Sequence, residues 1–211
     1  MILPHDRQSL AQSLRERLAG DVLPLGGDIA GRLAGRQAAV LVLLVLHPQG
    51  PTILLTRRAA HLPAHPGQIS FPGGAREDCD VDLVATALRE TQEEIGLSQH
   101  SVEVLGMLGE YQTSSLFCVT PVVGLVEPGF LFSPDTAEVE EVFEIPAAVL
   151  LDPSQYERRW VERGGMRIKS HFLDYEGRLV WGATAGMLIG FARLLGSVGE
   201  PMERDDLVHY P

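Results

Sequence analysis

Nine consecutive apolar residues, Ala38 to Leu46, constrain this chain more than any other feature. The run has no polar residue to mark a solvent face, so the element it forms must be covered on both sides. It is too short to cross a bilayer and ends in His47-Pro48, which makes it a buried strand. His47-Pro48-Gln49-Gly50-Pro51 has turn chemistry, and Thr52 to Thr56 resumes an extended apolar pattern. Together they predict a hairpin whose first arm spans Gln37 to Leu46. With 211 residues at 45% apolar composition, the chain is long enough to bury such a strand in one substantial core or two small ones.

The rest of the chain alternates less regularly. Leu10, Leu14 and Leu18 recur at helical spacing with Arg15, Glu16 and Arg17 between them, and Gly20 stops this short amphipathic helix. A stretch containing Gly and Pro, Leu23 to Gly35, leads into the core. Phe71-Pro72-Gly73-Gly74 breaks the chain ahead of a helix over Val81 to Ile95, which Gly96 caps. Strands are expected at Val102 to Leu108, Phe117 to Val126, Glu140 to Ile145 and Arg167 to Tyr175. A short helix is expected at Ala147 to Leu151 and a closing one at Ala183 to Leu195. Interspersed strands and helices without βαβ regularity predict an α+β fold, a mixed sheet between helices (a mixed α/β/α sandwich). No internal repeat, low-complexity tract or second domain is evident. The expected division is an N-terminal helix and lead-in over 1–35, one domain over 36–195 including the closing helix, and a C-terminal tail over 196–211.

A net charge of −11 excludes a nucleic-acid-coating protein, because no basic surplus exists to neutralise phosphates. It does not exclude a small phosphorylated substrate, since bound metal ions reverse the sign of an acidic pocket. Cys79 and Cys118 lie far apart without Cys/His ligand spacing and read as reduced thiols. The segment from Met1 to Gly20 is charged throughout and has no secretory h-region, and His209-Tyr210-Pro211 is not a peroxisomal address. The expectation is a cytoplasmic protein with no membrane or nucleic-acid partner. An apolar strand or the first helix leaves room for a homodimer.

The segment Arg89-Glu90-Thr91-Gln92-Glu93-Glu94-Ile95-Gly96-Leu97 carries the chemistry. On a helix, Glu90, Glu93 and Glu94 fall on one side within an arc of roughly 100°, while Val81, Val84, Ala85, Leu88 and Ile95 fall opposite. Leu83 and Ala87 lie near the acidic side as exceptions. The acidic face should then point away from the sheet on which the helix docks. Like charges at this spacing repel. Hard cations that prefer oxygen ligands would explain the cluster, and a solvated acidic face is the plain alternative. Arg89, four residues before Glu93, is placed to pair with it.

Arg-Glu-x-x-Glu-Glu-x-Gly-Leu after a Gly-Gly turn resembles the second half of the Nudix box, G-x5-E-x7-R-E-U-x-E-E-x-G-U. Counting back from Arg89, the box would place its glycine at Ala75 and its first acid at Val81. One extra residue before Arg89 restores them as Gly74 and Asp80. That insertion is a feature of the coenzyme A pyrophosphatase branch of the superfamily. Leu54-Leu55-Thr56-Arg57-Arg58-Ala59, with Gly67 and Phe71-Pro72-Gly73-Gly74, resembles the branch signature L-L-T-x-R-[S/A]-x3-R-x3-G-x3-F-P-G-G. Val119-Thr120-Pro121-Val122-Val123-Gly124 and Trp181-Gly182-Ala183-Thr184-Ala185 are also similar to it. The likeness spans about residues 36 to 195, judged by where its motifs fall. Pro63 stands where the signature has its second arginine, and Ser114-Ser115-Leu116-Phe117 lacks an expected glycine.

The resemblance implies a Nudix fold that hydrolyses coenzyme A or acyl-coenzyme A with Mg²⁺ or Mn²⁺. It implies Glu90 and Glu94 as direct metal ligands, Glu93 as a ligand or water bridge, and the Gly74 carbonyl completing the shell. Arg89 orients the acids. A further acid from a distant loop serves as ligand or base, with Glu138 favoured over Glu140 and Glu141, and Glu110 weaker. Arg57, Arg58, His65 and Gly73 are the implied substrate contacts, and His61 a lesser candidate. Trp181 reads as packing. Another nucleoside diphosphate derivative, such as ADP-ribose or NADH, is the alternative substrate. A catalytically silent nucleotide-binding regulator is the alternative outside enzymes.

Overall fold

The computed structural model describes residues 3–20, 24–28, 35–163 and 166–209. Part of the predicted lead-in, at 23 and 29–34, lies outside the described residues, as do Met1 and the terminal Tyr210-Pro211.

In chain order the elements are α1 (Arg7–Leu18), β1 (Gly26–Gly27), β2 (Arg36–His47), β3 (Gly50–Arg58), β4 (Ile69–Ser70), β5 (Gly73–Ala75) and α2 (Leu83–Ile95). Then come β6 (Glu103–Met107), β7 (Tyr111–Gln112), β8 (Phe117–Val126), β9 (Val139–Pro146) and α3 (Ala147–Leu150). The last are β10 (Glu157–Arg163), β11 (Met166–Tyr175), β12 (Arg178–Trp181), α4 (Gly182–Leu194) and β13 (Met202–His209).

β2 is the spine of a nine-stranded mixed sheet among the described residues. It runs parallel to β8 from Arg36↔Phe117 to Val45↔Val126 and antiparallel to β3 and β5. Its apolar run is covered on both faces, as its composition requires. Ala39, Leu41, Leu43 and Val45 pack with Ala87 and Ile95 of α2. Ala38, Val42, Leu44 and Leu46 belong to a larger core with Leu10 and Leu14 of α1 and Leu188 and Phe191 of α4. Each such Leu, buried fully, contributes roughly 1.5–3 kcal/mol. The architecture is therefore mixed α+β, with helices on both sides of a mixed sheet. No helix among the described residues is long and apolar enough to cross a membrane.

A second, four-stranded sheet, ordered β12-β11-β10-β13, was not foreseen beyond its strand at 166–175. Residues 202–209, within the expected tail, form β13 and pair in parallel with β10. Leu173 of β11 and Val180 of β12 join the larger core, so this sheet packs onto the side occupied by α4.

Candidate active site

Helix α2 begins two residues later than its periodicity suggests. Asp82 accepts a hydrogen bond from the Ala85 amide as N-cap, and Gly96 ends the helix in the left-handed conformation at φ 73°. Val81 lies before the helix and is exposed, which removes it from the predicted docking face. The face turned to the sheet includes Ala87, Thr91, Glu94 and Ile95, and Val84 and Leu88 pack on the same core. The expected docking face therefore holds at Val84, Leu88 and Ile95, but the buried arc reaches round to Glu94, so the two arcs overlap at that acid. Side-chain exposure grades across the three acids: Glu94 6%, Glu90 17%, Glu93 59%.

Glu94 is held under the sheet edge by the Gly73 amide, which donates to Oε2 at 3.2 Å. Its nearest cation is Arg58, whose guanidinium nitrogen lies 4.0 Å from Oε1. Burial pushes its pKa up to about 8, against the Gly73 hydrogen bond and the Arg58 charge, and with help from Glu90 and Glu138. Glu90 is also raised, first by burial, with Arg89 opposing and Glu93 and Glu138 reinforcing. Its carboxyl lies against Gly74: a Cβ on that glycine would overlap the carboxyl carbon. The Phe-Pro-Gly-Gly segment therefore lets α2 approach β5 closely enough for backbone and carboxylate to share one space.

Arg89 fixes this arrangement. Nε and a terminal nitrogen each donate to Asp80 at 2.9 Å, the same nitrogen reaches the Ala75 carbonyl at 3.3 Å, and the other reaches Glu90 at 3.0 Å and Glu93 at 2.9 Å. Asp80, buried, also accepts from the Thr86 hydroxyl and the Glu77 amide, both at 2.9 Å. The two-pronged pair holds the Asp80 carboxyl far below the usual carboxylate range. Asp80 is the acid that the one-residue insertion brings into register with Arg89.

Glu138 arrives from the other side. The segment after β8 docks on the end of α2 through Ser133 N–H to Ile95 O and Asp135 N–H to Glu94 O, both 2.9 Å. Glu138, exposed, follows this anchor and lies near enough to raise both Glu90 and Glu94. Glu140 is the residue passed over where the β3–β9 register slips. Glu141 is engaged by Arg57 at 3.2 Å and Arg178 at 2.6 Å. That slip falls between Arg57 and Arg58 and helps send the two arginines apart. Arg58 faces Glu94, and its Nε is buried with no hydrogen-bond partner among the described residues. Arg57 goes to Glu141 and is not brought to the carboxylates.

From Gly73 and Arg58 a hollow of about 250 Å³ opens between the two sheets. His65, at φ 56° and bonded to Gln68 at 2.8 Å, lines it, as does Trp181, whose ring stacks on Phe172 at 5.6 Å. His61 and Pro63 are exposed on the loop before β4.

Among the described residues, no three acidic, His or Cys side chains converge tightly enough to enclose a cation unaided. Arg89 holds Glu93 outward and Gly73 holds Glu94 inward. A hard divalent cation nevertheless fits the donor set. Glu90 and Glu94 are oxygen donors disfavoured as anions by their burial, and Arg58, the one protein cation beside Glu94 among the described residues, stands 4.0 Å away.

The NUDIX domain family model matches residues 35–163. The chain belongs to the Nudix hydrolase family, whose members act on phosphorus-containing anhydrides. Among its relatives is an uncharacterized Nudix hydrolase NudL of Photorhabdus laumondii, 42% identical over 153 residues that cover 72% of this chain and 81% of that one. NudL of an Enterobacter species is 39% identical over 191 residues, covering 90% of this chain and 94% of that one. Among solved structures, a MutT/nudix family protein from Enterococcus faecalis is 18% identical with a TM-score of 0.48, covering 90% of this chain and 71% of that one.

Sequence reasoning missed Asp28, Thr113 and Ser170, which line the hollow. No local pattern marks them. Arg58, His65, Gly73 and Trp181, which also line it, had a signal through the resemblance of their segments to the branch.

Proposed function

We propose that this chain is a cytoplasmic, Mg²⁺- or Mn²⁺-dependent pyrophosphohydrolase of coenzyme A and acyl-coenzyme A. Its products are 4′-phosphopantetheine, or the acyl form, and adenosine 3′,5′-bisphosphate. The observation that carries the proposal is Glu94, buried beside Glu90 at the mouth of a hollow whose rim holds Arg58 with an unsatisfied donor. The two carboxylates there are short of positive charge, which a divalent cation would supply, and Arg58 stands beside them for a phosphate oxygen.

Glu90 and Glu94 would hold the metal ion, with Glu93 and the Gly74 carbonyl as further oxygen donors. When bound there, such a cation would supply charge neutralisation for the diphosphate and a lowered pKa for water. Arg89 is a positioning residue that ties Glu90 and Glu93 to the Asp80 turn. Glu138 accepts the proton of the attacking water. The water oxygen bonds to one phosphorus, the bridging P–O bond breaks, and its electron pair leaves on the other phosphate. Arg58 and the Gly73 turn bind a phosphate oxygen, His65 lies along the path of the leaving arm, and Arg57 supports the strand from behind through Glu141.

The choice of coenzyme A is supported by the segment Leu54 to Gly74 together with the inserted box. Pro63, exposed in the place of the second signature arginine, favours a second reading in which another nucleoside diphosphate derivative, such as ADP-ribose or NADH, is cleaved. Incubation of the pure protein with Mg²⁺ and coenzyme A, followed by separation of nucleotides, tests the choice. Release of adenosine 3′,5′-bisphosphate is expected. Its absence while ADP-ribose or NADH is consumed overturns the coenzyme A assignment.

A further inference from the structure

We propose that the hollow between the two sheets receives the neutral, amide-bearing arm of the substrate and turns away the nucleotide half. This rests on the coenzyme A reading above and deepens it. The hollow begins at Gly73 and Arg58, the two groups that meet Glu94, so a diphosphate seated at the carboxylates feeds one of its substituents directly into it.

Its chemistry selects which substituent. Val161, Ile168 and Met187 supply apolar wall, while Gln68, Thr113 and Ser170 supply uncharged hydrogen-bonding groups. That mixture suits a chain of methylenes and amides. Beyond Arg58 and His65, the remaining titratable side chain of the lining among the described residues is Asp28. Asp28 is built in: Oδ1 accepts from the Tyr111 hydroxyl at 2.8 Å and Oδ2 from the Ser114 amide at 2.9 Å. Tyr111 is itself buried. A fixed carboxylate repels the 3′-phosphate of the nucleotide and leaves an uncharged arm unaffected. About 250 Å³ also falls below the usual range of clefts that enclose a whole drug-sized ligand, which is consistent with a site for half of one. Asp28, Ile168, Ser170, Trp181 and Met187 lie outside residues 35–163, so the flanks of the family domain complete a wall that Gln68, Thr113 and Val161 begin within it.

The test is product inhibition of coenzyme A hydrolysis by the full chain with Mg²⁺. In Ile168→Trp, which narrows the hollow, the inhibition constant of 4′-phosphopantetheine is expected to rise about tenfold or more, while that of adenosine 3′,5′-bisphosphate stays within about twofold. A rise confined to the bisphosphate, or no change in either constant, overturns the inference. Asp28→Asn gives an independent reading without added bulk. The wild type is expected to show a KM for succinyl-coenzyme A about fivefold above that for acetyl-coenzyme A, and Asp28→Asn is expected to close the gap. Equal KM values in the wild type overturn the assignment of Asp28. If the wild type does not hydrolyse coenzyme A at all, the substrate reading fails and this inference fails with it. Turnover by the wild type with unmoved constants in both variants defeats the inference alone.

Discussion

The two sheets are held together by different forces. In the nine-stranded sheet, β2 and β8 are apolar on both faces, and their ten-residue parallel register is fixed by burial. In the four-stranded sheet, β10 reads Glu-Arg-Arg-Trp-Val-Glu-Arg and β13 reads Met-Glu-Arg-Asp-Asp-Leu-Val-His. There Glu203 pairs with both Arg158 and Lys169, and Glu157 with both Arg159 and Arg204. The first sheet is the rigid support on which α2 presents its carboxylates. The second is a half-solvated wall whose alignment rests on exposed ion pairs, each worth little in water. Burial dominates the first sheet, while the second enters the same core through Leu173 and Val180 and carries ion pairs elsewhere, and both shape the hollow.

The comparison breaks most decisively at Glu94. Glu94→Gln is expected to lower kcat for coenzyme A by about a thousandfold or more with the fold retained, as read by steady-state kinetics and circular dichroism. Unchanged turnover would remove the chemistry from α2, and unchanged ligand binding with no turnover in the wild type would favour a silent binder. Leu43→Ala, in the middle of β2, is expected to cost about 2–5 kcal/mol in denaturant unfolding. A loss below about 1 kcal/mol would mean that burial does not set this sheet's stability.

Next in size is a pH effect. In the metal-free protein Glu94 keeps its proton up to about 8, whereas the unfolded chain loses it near 4.5. The folded state binds the extra proton between those values, so stability falls as pH rises through that window. Glu94→Gln is therefore expected to stabilise the metal-free protein by roughly 2–4 kcal/mol at pH 8 and hardly at all at pH 4.5, measured by thermal melts across pH. Smallest is Glu203→Ala, expected to leave the denaturant midpoint nearly unchanged, with any loss shrinking as salt is added. A cost as large as that of Leu43→Ala would erase the distinction between the sheets.

The same contrast decides what was legible in the sequence. Apolar runs and turn residues placed β2, β3, β8 and α4 within a residue or two, because burial leaves a periodic trace. β10 and β13 leave none: charged residues occur on both faces, and their pairing partners are distant in sequence. The active helix was legible in its residues and, at Val84, Leu88 and Ile95, in its docking side, but not in how far that side reaches round to Glu94. Ala87, Thr91, Glu94 and Ile95 recur at helical spacing, yet an acid within a docking face breaks the rule that charge marks solvent. Asp80 emerged from motif spacing alone, and its partnership with Arg89 follows from the fold. Asp28 could not be found, since a single acid in a Gly-containing stretch has no pattern and acquires its surroundings only when Tyr111 and Ser114 close on it.

Strand β13 has one more consequence. It returns in parallel along the outside of β10, so it caps a row of amides and carbonyls that would otherwise face water at the sheet margin. Shortening the chain before residue 202 would leave that margin open to strand addition from another molecule. The protein would then gain a route to self-association while every carboxylate on α2 stayed in place.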